Sequence, residues 1–373
     1  MLGVAAFIVS KGPNMIRQAL GRPQQLGTTS TNRLSTVALS RDGSVLAATG
    51  SDEFFGKTLP SSGTVYLWDA RTLSPLKSLA PQRWNDGRGS RGWLVRGLSL
   101  SPDGKFIGVC GRGGGGYTVY KVATQEILWH SPTRAQSAQF SADGNFVALG
   151  TFEMREARTG KLRAHWKATN GSTVEHFALS PDAQTVAWIG KRKLRPLLKN
   201  RGKARIPNAQ CVEIRRVNDG KILRVLPDSE ETESVAFSPD GSKIVSLGLR
   251  EIDDGSNDGA LDGSIIRCHS AAGKLLWKRD FRGSISKGHD VTSYFCDAIF
   301  SPDGSSIAVQ GNNLRGDDLI LVLNASDGSD KQRLETGETP EEEYGTPPAL
   351  AFSPDGKQLF ARGDDAVTVW DLQ

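Results

Sequence analysis

Short apolar runs separated by polar corners recur through most of the chain. In the last copy, an apolar run meets a Ser-Pro-Asp-Gly corner at residues 353–356, a second run ends at Gly363, and a third alternates before closing on Trp370 and Asp371. Proline presets φ at the second position of a turn, and Asp followed by Gly completes a type I turn. The pattern therefore predicts three short antiparallel strands joined by tight corners.

The same unit occurs six more times upstream, and in every copy an apolar residue stands just before the serine of the corner. The corners end at Gly43, Gly104, Gly144, Ala183, Gly241, Gly304 and Gly356. A glycine is expected to end each second strand: Gly50, Gly111, Gly150, Gly190, Gly248, Gly311 and Gly363. Because each repeat needs its neighbours to bury its faces, seven repeats predict one domain at residues 34–373, preceded by an extension at residues 1–33.

These units resemble the WD40-repeat family. The Trp-Asp dipeptide of that family stands at Trp68-Asp69 and Trp370-Asp371. In the other units its place is assigned to Tyr120-Lys121, Arg155-Glu156, Arg215-Arg216, Cys268-His269 and Leu323-Asn324. The resemblance covers about residues 34–373, and the corner is also similar to that of other bacterial propeller repeats. It implies an all-β, seven-bladed β-propeller of four-stranded antiparallel blades.

The last unit supplies three strands where the others supply four, which would leave an open sheet edge. An N-terminal strand is expected to pair with the C-terminal blade and close the ring, as the resemblance also implies. The stretch from Met15 to Leu20 is the predicted source of that strand.

The lengths of the loops predict two unlike faces. If the strands of each unit are labelled a to d, the a–b and c–d turns lie on one face of the disc, and the b–c and d–a loops lie on the other. Every a–b and c–d turn is short, whereas the long insertions fall in b–c and d–a loops. Since binding residues concentrate on loops held by a rigid scaffold, the loop-rich face is the predicted binding site.

Two segments of that face carry the candidate binding residues. The insertion of unit four holds eight basic residues and no acid: Lys191, Arg192, Lys193, Arg195, Lys199, Arg201, Lys203 and Arg205. It could pair with the acidic insertion at 249–264, bind an acidic protein or a membrane surface, or bind nucleic acid. The connector at 80–94 carries arginines and tryptophans, which dominate binding hot spots, although the tryptophans could instead pack on the rim: Arg83, Trp84, Arg88, Arg91 and Trp93.

The chain lacks the spacing of a metal or catalytic motif. The four cysteines form no C-x-x-C pair and are interpreted as reduced, packed thiols, which favours a cytoplasmic location, although the apolar stretch at 2–9 leaves export open. The stretch at 254–265 resembles a calcium loop without its final glutamate, and His289-Asp290 has no nucleophile beside it. No catalytic residue, metal, cofactor or small-molecule substrate is predicted.

The sequence thus favours a monomeric, non-catalytic interaction scaffold that binds a partner protein through its loop-rich face. The alternatives are an enzyme with its site at the mouth of the central channel, and a binder of an anionic partner through residues 191–205. Propellers support all of these, so the fold does not decide between them. A net charge of +5 does not by itself imply nucleic acid.

Overall fold

The chain forms seven four-stranded antiparallel sheets, as predicted, arranged as the blades of a propeller. The computed structural model describes residues 24–27, 34–50, 53–54, 57–58, 63–82, 95–111, 116–133, 135, 137–150, 153–166, 176–193, 208–229, 232–252, 260–282, 292–313, 318–337, 350–362 and 366–372. All the regular elements in these ranges are strands.

Each blade is ordered a, b, c, d from the channel to the rim, and the blades are numbered 1 to 7 along the chain. The a strands are Leu34–Leu39, Val95–Leu100, Ala138–Phe140, Phe177–Leu179, Thr232–Phe237, Thr292–Phe300 and Leu350–Phe352. The b strands are Val45–Gly50, Phe106–Gly111, Phe146–Leu149, Thr185–Lys193, Lys243–Ile252, Ser306–Asn313 and Gln358–Arg362. The c strands are Val65–Asp69, Tyr117–Lys121, Glu153–Glu156, Asn208–Arg216, Ala260–Ser270, Asp318–Asn324 and Ala366–Asp371. The d strands are Ser74–Pro75, Ile127–Ser131, Leu162–His165, Ile222–Val225, Leu275–Arg282, Asp330–Gly337 and Gln24–Gly27. A small extra hairpin, Glu53–Phe54 with Lys57–Thr58, lies in the b–c loop of blade 1.

The hydrophobic core is divided into seven clusters, one between each pair of neighbouring blades. Between blades 5 and 6, for example, Leu247 and Ile266 from one sheet pack with Val309 from the next. Successive strand residues face opposite sides of a sheet, so every blade contributes alternate residues to two clusters. This arrangement explains why a single unit could not fold alone.

An N-terminal strand completes blade 7. Gln24–Gly27 pairs antiparallel with the c strand Ala366–Asp371, with Leu26 opposite Val367. Leu26 is buried in the cluster that joins blade 7 to blade 1, where it packs with Val37 of blade 1. The sequence placed this strand at Met15 to Leu20, which lies outside the described residues. The pairing position is held by residues 24–27 instead, because Leu26 is the residue buried against blade 1.

The seven corners share one hydrogen-bonding pattern. In each, the serine Oγ donates to the aspartate two residues later at 2.5–2.7 Å. The same Oγ accepts the backbone N–H five residues later at 2.8–3.0 Å. The corner ends in the left-handed region in all seven, including Ala183 at φ 54°. Glycine is favoured there because it has no Cβ to clash.

The a–b and c–d turns lie on the same face, as predicted. In blades 1 to 6, a backbone N–H of the c–d turn donates to the carbonyl oxygen of the residue that follows the corner. In blade 7 the residue after strand c makes the same bond. The seven donor–acceptor distances are 2.6–3.2 Å. In blade 1 this bond joins Ala70 to Ser44, and in blade 5 it joins Ala271 to Ser242. The face formed by these short turns is called the short-turn face, and the opposite one the loop face.

The residue pairing between strands b and c corrects the assignment of the dipeptide in unit five. Trp68 pairs with Leu46, the third residue after its corner, and His269 pairs with the equivalent Ile244. The position of the dipeptide is therefore held by His269-Ser270 and not by Cys268-His269. The assignment was one residue off because this unit has one residue fewer between strands c and d, with His269 pairing Leu275.

Candidate interaction face

Three consecutive blades carry b–c hairpins that continue past the repeat glycine onto the loop face. In blade 4 the pairing continues to Lys193 opposite Asn208. In blade 5 it continues to Ile252 opposite Ala260, and in blade 6 strand b ends at Asn313. The expectation that a glycine ends every second strand is thus wrong for these blades. Cross-strand pairing extends through Gly190, Gly248 and Gly311 because the residues beyond them find partners on strand c.

In their described residues, blades 2 and 3 lack this extension. Strand b ends at Gly111 in blade 2 and at Leu149 in blade 3, where it pairs with Glu153. Each added residue lengthens a strand by about 3.3 Å, so the three further residues of the blade 4 hairpin raise it by about 10 Å. The described parts of the b–c hairpins of blades 4 to 6 therefore rise further than those of blades 2 and 3, and together they are called the raised sector.

In blade 4 the described pairing of strands b and c continues beyond that of strands a and d, and the segments 189–193 and 208–211 are called the ribbon. The last described pair with strand a is Phe177 opposite Trp188, and the last described pair with strand d is Glu213 opposite Val225. One more backbone bond, from Leu226 N–H to the Val212 carbonyl, ties strand c to the connector. Beyond these points, no described strand pairs with either edge of the segments 189–193 and 208–211. In blade 5, by contrast, strand d continues beside strand c as far as Gly263 opposite Arg282.

The structure describes a small part of the predicted binding set. Lys191, Arg192 and Lys193 lie in strand b of the ribbon, opposite Gln210, Ala209 and Asn208. The remaining members lie outside the described residues: Arg83, Trp84, Arg88, Arg91, Trp93, Arg195, Lys199, Arg201, Lys203 and Arg205. His289-Asp290 and most of the calcium-like stretch lie outside them as well. The binding roles of these residues remain predictions.

The first position of the dipeptide anchors the connector that enters the blade. In blade 2 the Tyr120 hydroxyl accepts the Gln82 N–H at 2.9 Å. In blade 5 the His269 Nε2 lies 2.9 Å from the Pro227 carbonyl oxygen, an acceptor only, so Nε2 carries the proton. His269 is fully buried, and burial lowers its pKa, with Arg267 lowering it further against the opposing effect of the Pro227 bond.

In blades 3 and 4 this position holds an arginine paired with a glutamate. Arg215 donates through Nη2 and Nε to the Glu213 Oε2 at 2.6 and 2.9 Å, and through Nη1 to the Gly220 carbonyl at 3.3 Å. Both side chains are buried, with relative exposures of 6% and 4%. The matching pair Arg155–Glu153 in blade 3 is more open, at 20% and 12%. Sequence reasoning missed both pairs, although the shared Glu-x-Arg spacing was a visible signal.

Tryptophans in or directly after the d strands of blades 2, 3 and 5 tie these blades to the next one at the rim. The Trp129 indole N–H donates to the Ala157 carbonyl at 2.8 Å, and that of Trp277 donates to the Ala325 carbonyl at 3.1 Å. Trp166 makes the same bond to Val217. Each ring packs on a positive-φ glycine of the next c–d turn: Gly160, Gly328 and Gly220. This seam was also missed, although a tryptophan followed one unit later by such a glycine is a readable pattern.

The described residues offer little reactive chemistry. No group of three or more His, Cys, Asp or Glu side chains in the described ranges could hold a metal ion. Cys110, Cys211 and Cys268 are reduced and buried, and burial raises the pKa of Cys268 to about 11, so its thiol stays protonated. The interpretation of these three as packed thiols is confirmed. No helix in the described part of the chain has the length and apolar character that crossing a membrane requires.

The fold defines the class: a seven-bladed β-propeller with one short-turn face and one loop face. The chain is similar to an uncharacterized WD repeat-containing protein of Synechocystis sp., at 25% identity over 161 residues. The match covers 41% of this chain and 40% of that relative's length. The predicted resemblance to WD-repeat proteins is confirmed by this match together with the fold. No protein-family model matches the chain.

Two solved structures share the whole fold. Kuenenia stuttgartiensis hydrazine synthase matches with a TM-score of 0.65 at 15% identity, over 97% of this chain and 99% of that one. A chain of the mitotic checkpoint complex matches with a TM-score of 0.65 at 17% identity, over 100% of this chain and 99% of that one. One is named as an enzyme and the other as a complex. The fold itself therefore leaves both kinds of function open.

Proposed function

We propose that this propeller is a non-catalytic interaction scaffold and that it binds a partner protein through its loop face. The observation that carries the proposal is the raised sector formed by the b–c hairpins of blades 4 to 6. Long loops on a rigid scaffold are the usual place for recognition, and a ring of packed blades changes shape little on binding.

The inner strands also favour binding over catalysis. Acid–base chemistry at the channel would call for two or more converging acids or histidines. Among the described residues of the a strands, Asp297 is the one buried carboxylate. It accepts the Ala298 N–H of its own strand at 2.9 Å and lies 3.4 Å from the Ser234 hydroxyl on the inner strand of blade 5, so both contacts are structural.

A comparison of two surface variants tests which face binds. The first replaces the eight basic residues between 191 and 205 with serine. The control replaces five exposed basic residues of the short-turn face with serine: Arg41, Lys105, Lys161, Lys221 and Lys274. We expect proteins cross-linked to the wild type in its native lysate to be retained by the control and lost by the first variant, with both melting like the wild type. Retention by the first variant and loss by the control would contradict the proposal.

A further inference from the structure

Three consecutive d strands carry an exposed leucine where the rim of the disc meets the short-turn face. Leu162 in blade 3, Leu223 in blade 4 and Leu276 in blade 5 are 46%, 39% and 42% exposed. Each is the first or second residue of its d strand, directly after the c–d turn. A single exposed leucine is ordinary on a protein surface. These three become informative through the charges that accompany them.

An exposed lysine precedes each leucine and is placed by the c–d turn. The three lysines follow glycines of positive φ and are Lys161, Lys221 and Lys274. A side chain of the same turn accepts the backbone N–H of each lysine at 3.0–3.2 Å, as the Asp219 carboxylate does from Lys221. None of the three lysines forms an ion pair with another described residue. Their charges are therefore available at fixed positions beside the leucines.

The outer rim of blades 3 to 5 is basic as a whole. Its described c–d turns and d strands hold eight basic residues and two acids, in the segments 157–165, 217–225 and 271–281. The equivalent segments of blades 1, 2 and 6 hold four basic residues and three acids: 70–78, 122–131 and 325–334. The three lysine–leucine sites together are called the basic rim patch: Lys161, Leu162, Lys221, Leu223, Lys274 and Leu276.

The separation of the leucines selects the kind of partner. Packed sheets lie about 10 Å apart and the blades diverge toward the rim, so leucines of neighbouring blades are at least about that far apart. A protein partner usually covers a contiguous apolar centre, which separated leucines on a convex rim do not provide. Single-stranded nucleic acid prefers aromatic platforms, whereas the exposed large apolar residues of the described chain are all aliphatic. The interface of an anionic bilayer accepts separated apolar side chains, and its headgroups attract lysines.

We propose that the basic rim patch binds the surface of a membrane that contains anionic lipids. The leucines enter the boundary between headgroups and acyl chains, and the lysines lie at the level of the phosphates. Because the patch borders the short-turn face, the loop face of a bound molecule stays directed away from the bilayer. The inference goes beyond the proposed function, since it adds a lipid surface to the partner protein.

Co-sedimentation of the full chain with vesicles tests the inference. The probes are vesicles of phosphatidylcholine alone and vesicles with about 30% phosphatidylserine, a composition that gives the surface a negative potential. We expect binding to the anionic vesicles alone, and release when the salt is raised to about 0.5 M, because salt screens exposed charges. Failure to bind the anionic vesicles, or equal binding to both kinds, would overturn the inference.

Two pairs of variants locate the site. K161S/K221S/K274S should bind anionic vesicles well over tenfold more weakly, since each lysine near the surface contributes about fivefold. Its matched control K77S/K105S/K357S removes the same charge from blades 1, 2 and 7 and should bind like the wild type. L223S/L276S keeps the charge and should bind about tenfold more weakly. Its control L76S/I127S changes the exposed aliphatic residues of blades 1 and 2 and should bind normally. All four should melt like the wild type.

Three results would overturn the inference. Normal vesicle binding by L223S/L276S would mean that charge alone is responsible. Binding that is lost when the basic residues between 191 and 205 are replaced, and kept in K161S/K221S/K274S, would assign the vesicles to the loop face. A polyglutamate peptide or a single-stranded DNA oligonucleotide that bound the patch more tightly than the vesicles would identify a different class of partner.

The two proposals can fail separately. If the chain captures proteins through its loop face but does not bind the vesicles, the basic rim patch is not a lipid site and the scaffold function stands. If the vesicles bind through the patch while protein capture does not depend on the loop face, the lipid site stands and the proposed binding face is wrong.

Discussion

Removing the carboxylate of Glu213 should destabilise the fold far more than removing that of Glu153. Glu213 holds both Nη2 and Nε of Arg215, and the two side chains are nearly sealed from solvent. E213Q keeps the shape but leaves the guanidinium charge buried without its counter-charge. Breaking a buried pair in this way costs about 3–5 kcal/mol. Arg155 is more exposed, so water can solvate it in E153Q, and a cost of about 1 kcal/mol is expected.

Urea denaturation followed by tryptophan fluorescence measures both variants under the same conditions. A further variant, E213L/R215M, replaces the buried pair with apolar side chains of similar size, and should be within about 1 kcal/mol of the wild type. If E213Q and E153Q lose the same free energy of unfolding, burial does not determine the cost and the reasoning is refuted. If E213L/R215M unfolds as readily as E213Q, the pair itself and not its unpaired charge is what stabilises blade 4.

Four further variants test a connector anchor, a corner and the rim. His269 has a lowered pKa in the folded state, so the unfolded state binds a proton at this side chain more readily. The free energy of unfolding should therefore fall as the pH drops below about 6.5, by up to about 1.4 kcal/mol per pH unit. H269Q should flatten this part of a series of melting curves measured at different pH values. A183G should raise the free energy of unfolding by about 0.5–1 kcal/mol in urea, because Ala183 stands at φ 54° where the other corners have glycine. W277F removes the hydrogen bond to the Ala325 carbonyl and should cost about 1 kcal/mol, whereas G328A should cost more, since its Cβ would lie 2.7 Å from the Trp277 ring.

Each of these has an outcome that contradicts it. A pH dependence that is identical in H269Q and the wild type would assign the effect to other groups. Destabilisation by A183G would mean that the alanine methyl group makes contacts that outweigh its backbone strain. A G328A protein as stable as the wild type would show that the rim seam adapts by moving the tryptophan.

The corners explain why so much of the fold could be predicted. Their serine, aspartate and left-handed residue lie within a few positions of one another, and the bonds they make are closed inside that stretch, as from Ser238 to Asp240 and Lys243. Local bonds leave a local pattern, so the number of blades, the face of the short turns and the order of the strands follow from counting. The alternation of apolar residues then predicts which sides of the sheets are buried.

The loop face could be predicted only in outline. The insertions show as long gaps between repeats, but the pairing of Lys193 with Asn208 depends on two segments that meet across a loop. A repeat glycine is a sound marker of a strand end only where the residues after it find no partner. The predicted face and the described ribbon therefore agree in place, whereas the strand ends do not.

The sequence by itself determined the repeat, the seven blades and the unequal faces, because these depend on contacts between residues that are near neighbours in the chain. Only the tertiary structure decided which N-terminal residues complete blade 7, where His269 falls in its strand, and that Arg215 is buried with Glu213. Those outcomes depend on contacts between strands and between blades. Whether a side chain such as Leu26 is buried depends on a partner more than three hundred positions away, and no local pattern records that distance.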